Sequence, residues 1–247
     1  MNKISVIIIT RNEEDRLQRC LEAVKGFDEV VVIDSESTDK TADIARRYTD
    51  RVFTRKFDDF SSQKNFGLSK CRNDWVLSID ADELVTEKLK HAIADADLSV
   101  NSGFRIKRDT FIFGRLLRHG GHGRDFPLRL FDKNKGGFVQ PIHEFADISG
   151  KIGIIKEPLA HYSSGDLDEY MKKLNFYTDL EADLLVSGKA SFSYAKLCLR
   201  PVLRFLQRYV LQAGFLDGGE GFAFYSLSGL YDFVKQVKFW EKINGKR

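Results

Sequence analysis

The residues best suited to chemistry are the two carboxylates of Ile79-Asp80-Ala81-Asp82-Glu83. They follow the apolar run Trp75-Val76-Leu77-Ser78, where a buried strand gives way to a loop. Side chains two positions apart leave a strand on the same side. At the carboxyl end of an open α/β sheet, both would face the crevice where ligands bind. Hard oxygen donors of this kind suit Mg²⁺ or Mn²⁺, with phosphate oxygens completing the shell. An Asp-x-Asp at a strand end can also be no more than a turn, so the rest of the chain has to decide.

Three other polar segments follow apolar runs. Thr10-Arg11-Asn12-Glu13 comes directly after Ile4-Ser5-Val6-Ile7-Ile8-Ile9. Asp34-Ser35-Glu36-Ser37-Thr38-Asp39 comes directly after Val30-Val31-Val32-Ile33. A carboxylate at such a strand tip can bond a base or ribose, while the Ser/Thr cluster caps the next helix. Capping alone accounts for some of these residues. In Gln63-Lys64-Asn65-Phe66-Gly67, Lys64 could meet phosphate or a base carbonyl. A helical lysine is more commonly just solvated. A Gly-x-Gly-x-x-Gly after the first strand is missing, which argues against a dinucleotide dehydrogenase. There is no Walker-type lysine loop either.

The elements that must hold these groups alternate. The apolar runs at 4–9, 29–34, 51–54 and 75–79 read as strands, and 13–25, 38–48 and 61–71 as helices. Short loops between them imply a mostly parallel sheet with right-handed crossovers. Strand patterns follow at 104–108 and 126–131, joined by a segment rich in glycine, arginine and histidine that reads as a loop or extended hairpin near the site. Two short strands are expected at 153–155 and 159–162, interrupted by Pro158. From Asp166 the pattern is helical, giving a catalytic domain over 1–165 and a helical extension over 166–247 that ends in a polar tail from Glu241.

The chain has 247 residues, of which 43% are hydrophobic and 30% charged, a globular composition. A net charge of +3 gives no global field for nucleic acid. Cys20, Cys71 and Cys198 are odd in number and fit no zinc spacing, so free thiols in a reducing cytosol are expected. Met1-Asn2-Lys3 leads directly into the first strand, without a leader pattern. No apolar run approaches the roughly 20 residues that span a bilayer.

Taken in order, Ser5 to Glu13, Val32 to Asp39, Lys64-Asn65-Phe66-Gly67-Leu68 and Asp80-Ala81-Asp82 resemble a family 2 glycosyltransferase. The resemblance implies a GT-A fold, a nucleotide-sugar donor and a divalent metal. Thr10, Arg11, Glu13 and Asp34 would line the base and ribose, with Ser37 and Ala81 also on the donor. Lys64 would lie near the base, Asp80 near the ribose and the metal, and Asp82 would be the direct metal ligand. Leu128-Arg129-Leu130-Phe131, Pro141-Ile142-His143-Glu144, Ala160-His161-Tyr162 and Phe215 to Phe222 resemble the branch that builds bacterial lipopolysaccharide core, often as β-glucosyltransferases. One departure is His122-Gly123-Arg124-Asp125, where that branch leads one to expect Trp and Pro near Gly121.

An inverting transfer needs a base for the acceptor hydroxyl and a cation for the departing diphosphate. The resemblance gives the base role to Glu144. Its alternative is a loop carboxylate paired with a nearby arginine. His143 would orient Glu144 or touch the diphosphate. His161 would be a further metal ligand or simply a hydrogen-bonded strand histidine. Arg129 would neutralise phosphates or point outward from its strand. The implied donor is a UDP-hexose, UDP-glucose first, with UDP-galactose or an N-acetylhexosamine next. The implied acceptor is a lipopolysaccharide-core or related glycolipid. A sugar-phosphate nucleotidyltransferase and a non-catalytic nucleotide-sugar module are the competing classes.

No acidic residue occurs from Ser187 to Leu216. Lys196, Arg200, Arg204 and Arg208 recur every four residues, on one side of a helix, with Leu199, Leu203, Leu206 and Val210 on another. Two readings fit: a basic amphipathic helix at an anionic inner-membrane surface, on its cytoplasmic face, or a helix packed on the domain with a solvated basic side. Pro201 is expected to break or begin that helix. The last helical face, Leu227 to Val237, would pack on the domain or form a homo-oligomer.

Overall fold

Seven residues form strand β1 (Ile4–Thr10) in the computed structural model, which describes residues 3–245. Ile4, Val6 and Ile8 pack into one apolar cluster with Leu17, Cys20 and Leu21, while Ile7 packs into another with Ile33 and Leu68. Successive side chains point to opposite faces, so a strand covered on both sides is apolar throughout.

The chain continues as α1 (Leu17–Ala23), β2 (Glu29–Asp34), α2 (Thr41–Arg46), β3 (Val52–Thr54), α3 (Phe60–Lys70) and β4 (Trp75–Asp80). β1 pairs in parallel with β2 and β4, and β2 with β3. Then come β5 (Glu83–Val85), α4 (Glu87–Ala94), β6 (Gly103–Ile112), β7 (Arg115–Leu116), β8 (Leu128–Asp132), β9 (Gly136–Val139), β10 (Phe145–Ile148) and β11 (Ile152–Ser164). The main sheet runs β3-β2-β1-β4-β8-β6-β11-β5, with β7 on β6, and β9 and β10 form a separate hairpin. It is a mixed sheet: β8 runs antiparallel to both β4 and β6.

Pro158 does not interrupt β11. Leu159 pairs with Val85 at the end of β5, so Pro158 falls one residue beyond that register. On that side no ladder bond is lost.

The chain divides into two compact units, one running to Arg108 together with Asp125–His161, the other comprising Asp109–Arg124 and the chain from Tyr162. The second unit thus begins before residue 166 and takes in the β6–β7 turn. There Ile112 and Leu117 share an apolar cluster with Phe224 and Tyr225. Its helices are α5 (Leu167–Ser187), α6 (Tyr194–Phe205) and α7 (Gly218–Ile243). Of the polar tail, Glu241 to Ile243 belong to α7, and Lys246 and Arg247, like Met1 and Asn2, lie outside the described residues.

α6 runs straight through Pro201. The bond that proline removes is outweighed by packing on α7, whose Gly229 sits so close to Pro201 O that a Cβ would fall 2.8 Å from it. None of the described helices is long and apolar enough to cross a membrane.

Candidate active site

The paired strands β1 and β2 end level, with Thr10 opposite Asp34. Both residues are buried, and Thr10 Oγ1 and Asp34 Oδ1 have no hydrogen-bond partner among the described residues. Buried polar atoms are normally satisfied, so two orphans side by side at strand tips point to a polar ligand. The loops behind them are latched together. Asn12 N–H donates to Ser37 Oγ at 2.9 Å, Thr38 N–H to Asn12 Oδ1 at 2.8 Å, and Glu13 N–H to Thr41 Oγ1 at 2.8 Å. Ser37 N–H donates to Asp34 Oδ2 at 3.1 Å, leaving the other oxygen of Asp34 as the open one. Asn12 and Glu36 hold positive φ of 53° and 55°, strained values for side-chain-bearing residues. Arg11 is exposed and Glu13 half-buried beside this pocket edge.

Lys64 is not a solvated helix residue. It is 1% exposed, on the inward face of α3. Gly67 makes this approach possible, since a Cβ there would already lie 3.3 Å from Ile33. Lys64 Nζ meets Asp80 Oδ1 at 2.9 Å and Glu144 Oε1 at 2.5 Å. Glu144 therefore has a basic partner, a lysine rather than an arginine.

Arg129 likewise points inward. Its Nη2 donates to Asp80 Oδ2 at 2.9 Å and to Glu83, and its buried Nε has no hydrogen-bond partner. Glu83 is fully buried, accepts Asp80 N–H at 3.0 Å, and faces Arg108 at 3.4 Å. Arg108 pairs in turn with Asp125 at 2.7 Å. Asp125 closes the segment that departs from the expected Trp and Pro, so the altered loop feeds a charge into this network.

Glu83, Arg108 and Asp125 went unassigned by sequence reasoning. The signal for Glu83 lay in its position next to Asp82, but the partners are 25 and 46 residues away.

Burial opposes the charge on Lys64, Asp80, Arg108 and Arg129, and the pairing overcomes it. The Lys64 and Arg129 cations hold the Asp80 carboxyl far below the usual carboxylate range. The Asp80 and Glu144 carboxylates keep Lys64 protonated above its ordinary value. Glu83 and Asp80 raise Arg129 likewise. Cys20, buried near these carboxylates, is pushed well above an ordinary thiol and donates weakly to Asp80 O at 3.7 Å.

Asp80 and Asp82 lie on different parts of the chain's turn. β4 ends at Asp80, and Ala81-Asp82 turn into β5, so strand alternation stops between the two carboxylates. Both Asp80 oxygens face cations. The pairing of Glu83 with His161 brings the imidazole to the turn, with Nε2 3.6 Å from Asp82 Oδ2. No group of three or more His, Cys, Asp or Glu side chains among the described residues could hold a metal by itself. The Asp82 carboxylate nevertheless suits Mn²⁺ or Mg²⁺ whose shell diphosphate oxygens complete, with the imidazole at most a further ligand to Mn²⁺. The charge count agrees: Lys64, Arg108 and Arg129 meet Asp80, Glu83, Asp125 and Glu144 before Asp82 is added. His143 is exposed with φ of 55°, next to Glu144.

Residues 5–162 match the model of the family described as glycosyl transferase family 2. An uncharacterized glycosyltransferase of Rickettsia typhi is 31% identical, over 98% of this chain and 88% of its own. The lipopolysaccharide core biosynthesis glycosyltransferase LpsC of Rhizobium meliloti is 28% identical, over 97% of this chain and 92% of its own. Among solved structures, a mannosyltransferase from Pyrobaculum calidifontis in complex with GDP-Man and Mn²⁺ superposes with a TM-score of 0.56 at 14% identity, covering 97% of this chain and 87% of that one. That likeness is one of fold, the GT-A arrangement.

Proposed function

The chain belongs to glycosyl transferase family 2, and from that premise we propose an inverting, metal-dependent transfer of a hexose from a UDP-sugar, UDP-glucose first, to a lipopolysaccharide-core or related glycolipid on the cytoplasmic side of a membrane. The observation that carries the donor reading is the pair of orphaned atoms, Thr10 Oγ1 and Asp34 Oδ1, at register-matched strand ends. A base N–H and a ribose hydroxyl are donors and acceptors of the kind these atoms lack. Arg11, Glu13 and Ser37 border that pocket, and Ala81 and Asp80 sit at the turn where the sugar-diphosphate would arrive. The acceptor reading draws on the likeness to LpsC.

Glu144 takes the proton of the acceptor hydroxyl as the glycosidic bond forms. Lys64, shared between Glu144 and Asp80, fixes the direction of that carboxylate relative to the donor turn. Arg129, cationic and desolvated, stabilises the charge that develops on the departing diphosphate, and His143, adjacent in sequence to Glu144, would orient that base or touch the diphosphate. Asp82, with His161 at most a further ligand to Mn²⁺, would hold Mn²⁺ or Mg²⁺, which adds positive charge on the same leaving group when bound. A thermal-shift panel of nucleotide sugars with Mn²⁺ tests the donor, since a ligand bound by the folded state raises its stability by mass action. UDP-glucose is expected to give the largest shift; a larger shift with GDP-mannose would overturn the base and sugar together.

A further inference from the structure

The outer side of α6 is the inverse of a water-facing helix. Leu199, Val202, Leu203 and Leu206 are all exposed, and so are Leu211 and Phe215 just beyond; Leu211 reaches 80%. None of the residues of α6 is buried. Meanwhile Arg204, still partly exposed, pairs with the buried Asp232 of α7, Nε to Oδ2 at 2.9 Å. Burial also lowers the pKa of Arg208. The four-residue basic stripe therefore splits. Lys196 and Arg200 are exposed, with Lys189 ahead of them, while Arg204 and Arg208 are half-buried. Arg204, still within α6, is held by its pair with Asp232, while Arg208 lies in a π-helical stretch, Leu206–Leu211, which changes the phase of the side chains after Phe205.

Contiguous exposed apolar surface of this kind marks an interaction site. We propose that this face of the second unit docks on an anionic lipid surface. Its leucines and Phe215 enter the boundary between headgroups and acyl chains, and Lys189, Lys196 and Arg200 meet the lipid phosphates. Charge selects the occupant. From Ser187 to Leu216 there is no carboxylate, so an isologous contact with a second copy would set cations against cations. Anionic headgroups neutralise them instead. No described helix can span the bilayer, so the contact is one of lying on the surface. The proposal does not rest on the donor, the base or the metal.

The test is flotation of the full chain with vesicles of phosphatidylglycerol and phosphatidylethanolamine at low salt, against vesicles of phosphatidylcholine, without donor or acceptor. Binding at least about tenfold stronger to the anionic vesicles is expected, weakened by salt. Leu203→Glu with Leu211→Glu should reduce it about tenfold or more, and so should Lys196→Glu with Arg200→Glu. The second pair is fully on the surface and carries the test if the first perturbs folding. Failure of the unaltered chain to float, equal binding to both vesicle types, or unchanged binding by the charge-reversed variant overturns the proposal. So does a lipid-independent dimer that the leucine variants dissociate. None of these outcomes bears on sugar transfer, which is read separately by nucleotide release.

Discussion

Lys64, 1% exposed, and Leu211, 80% exposed, exchange the usual places of a cation and an aliphatic side chain. In the first unit, charged groups are withdrawn from water and satisfied by one another. In the second, apolar groups are left in water around a helix whose Arg204 is paired with a buried carboxylate. Each departure costs free energy in the isolated fold. The first is offset inside the chain, by ion pairs with hydrogen-bonding geometry. The second has no offset within the unit, which is why its counterpart is sought outside the protein. The two units thus depart from the usual distribution in opposite directions, with buried charge in the first and exposed apolar surface in the second.

The largest effect is expected at the buried charges. Glu144→Gln keeps the shape of the side chain and removes its basicity, so turnover should fall about 10²- to 10⁴-fold with donor affinity intact. Steady-state nucleotide release with a saturating donor checks it, and near-normal turnover would leave Glu144 as a partner of Lys64 and nothing more. Lys64→Met tests the same network through stability. It leaves Asp80 facing Arg129 alone and Glu144 without its cation, at a cost of about 3–5 kcal/mol in denaturant unfolding.

The pH dependence has a definite sign. Asp80 is lowered in the fold, so its contribution is complete above about pH 4 and is lost as pH falls toward its folded value. Lys64 is raised, so its contribution is complete below about pH 10 and is lost as pH rises through its folded value. The deficit of Lys64→Met should therefore narrow in acid below pH 4 and again in strong alkali. A deficit independent of pH would mean lost packing, not lost charge.

How much of this was legible in the sequence follows from the range of each interaction. β1, β2 and β4 were legible because a strand covered on both faces is apolar at every position, a purely local signal. α1 and α2 begin later than helical spacing suggests. The residues ahead of them are spent on cross-loop bonds, such as Glu13 N–H to Thr41 Oγ1, that local periodicity does not register. The burial of Lys64 was not legible, because Glu144 lies 80 residues away. The fate of the basic stripe was not legible for two reasons. Asp232 is 28 residues beyond Arg204, and the π-helical stretch breaks the 3.6-residue period that any wheel assumes.

The metal reading sharpens the comparison at a smaller scale. Asp82→Ala leaves the Lys64 and Arg129 ion pairs intact, since Asp82 faces His161 instead. Its fold should be little changed, while the added thermal stability given by donor with Mn²⁺ disappears. At a ligand concentration near 100 times Kd that added stability is about 2.7 kcal/mol. Donor stabilisation that persists in Asp82→Ala, with Mn²⁺ present, would remove the direct-ligand role and leave Asp82 a turn residue.

The smallest effect is expected at Leu211, and its smallness is informative. Leu211→Gln changes a large aliphatic group to a polar one, as drastic on paper as Lys64→Met in reverse. At a buried leucine, lost packing and an unsatisfied amide would cost several kcal/mol. Here the side chain already stands in water, so unfolding free energy should move by no more than about 0.5 kcal/mol. If Leu211→Gln destabilised the chain as strongly as Lys64→Met, the surface at the end of the π-helical stretch after α6 would be part of a core, and the contrast between the two units would collapse. If stability holds while vesicle binding weakens, the leucine serves the surface and not the fold. That separation is what distinguishes an apolar side chain kept for a partner from one kept for packing.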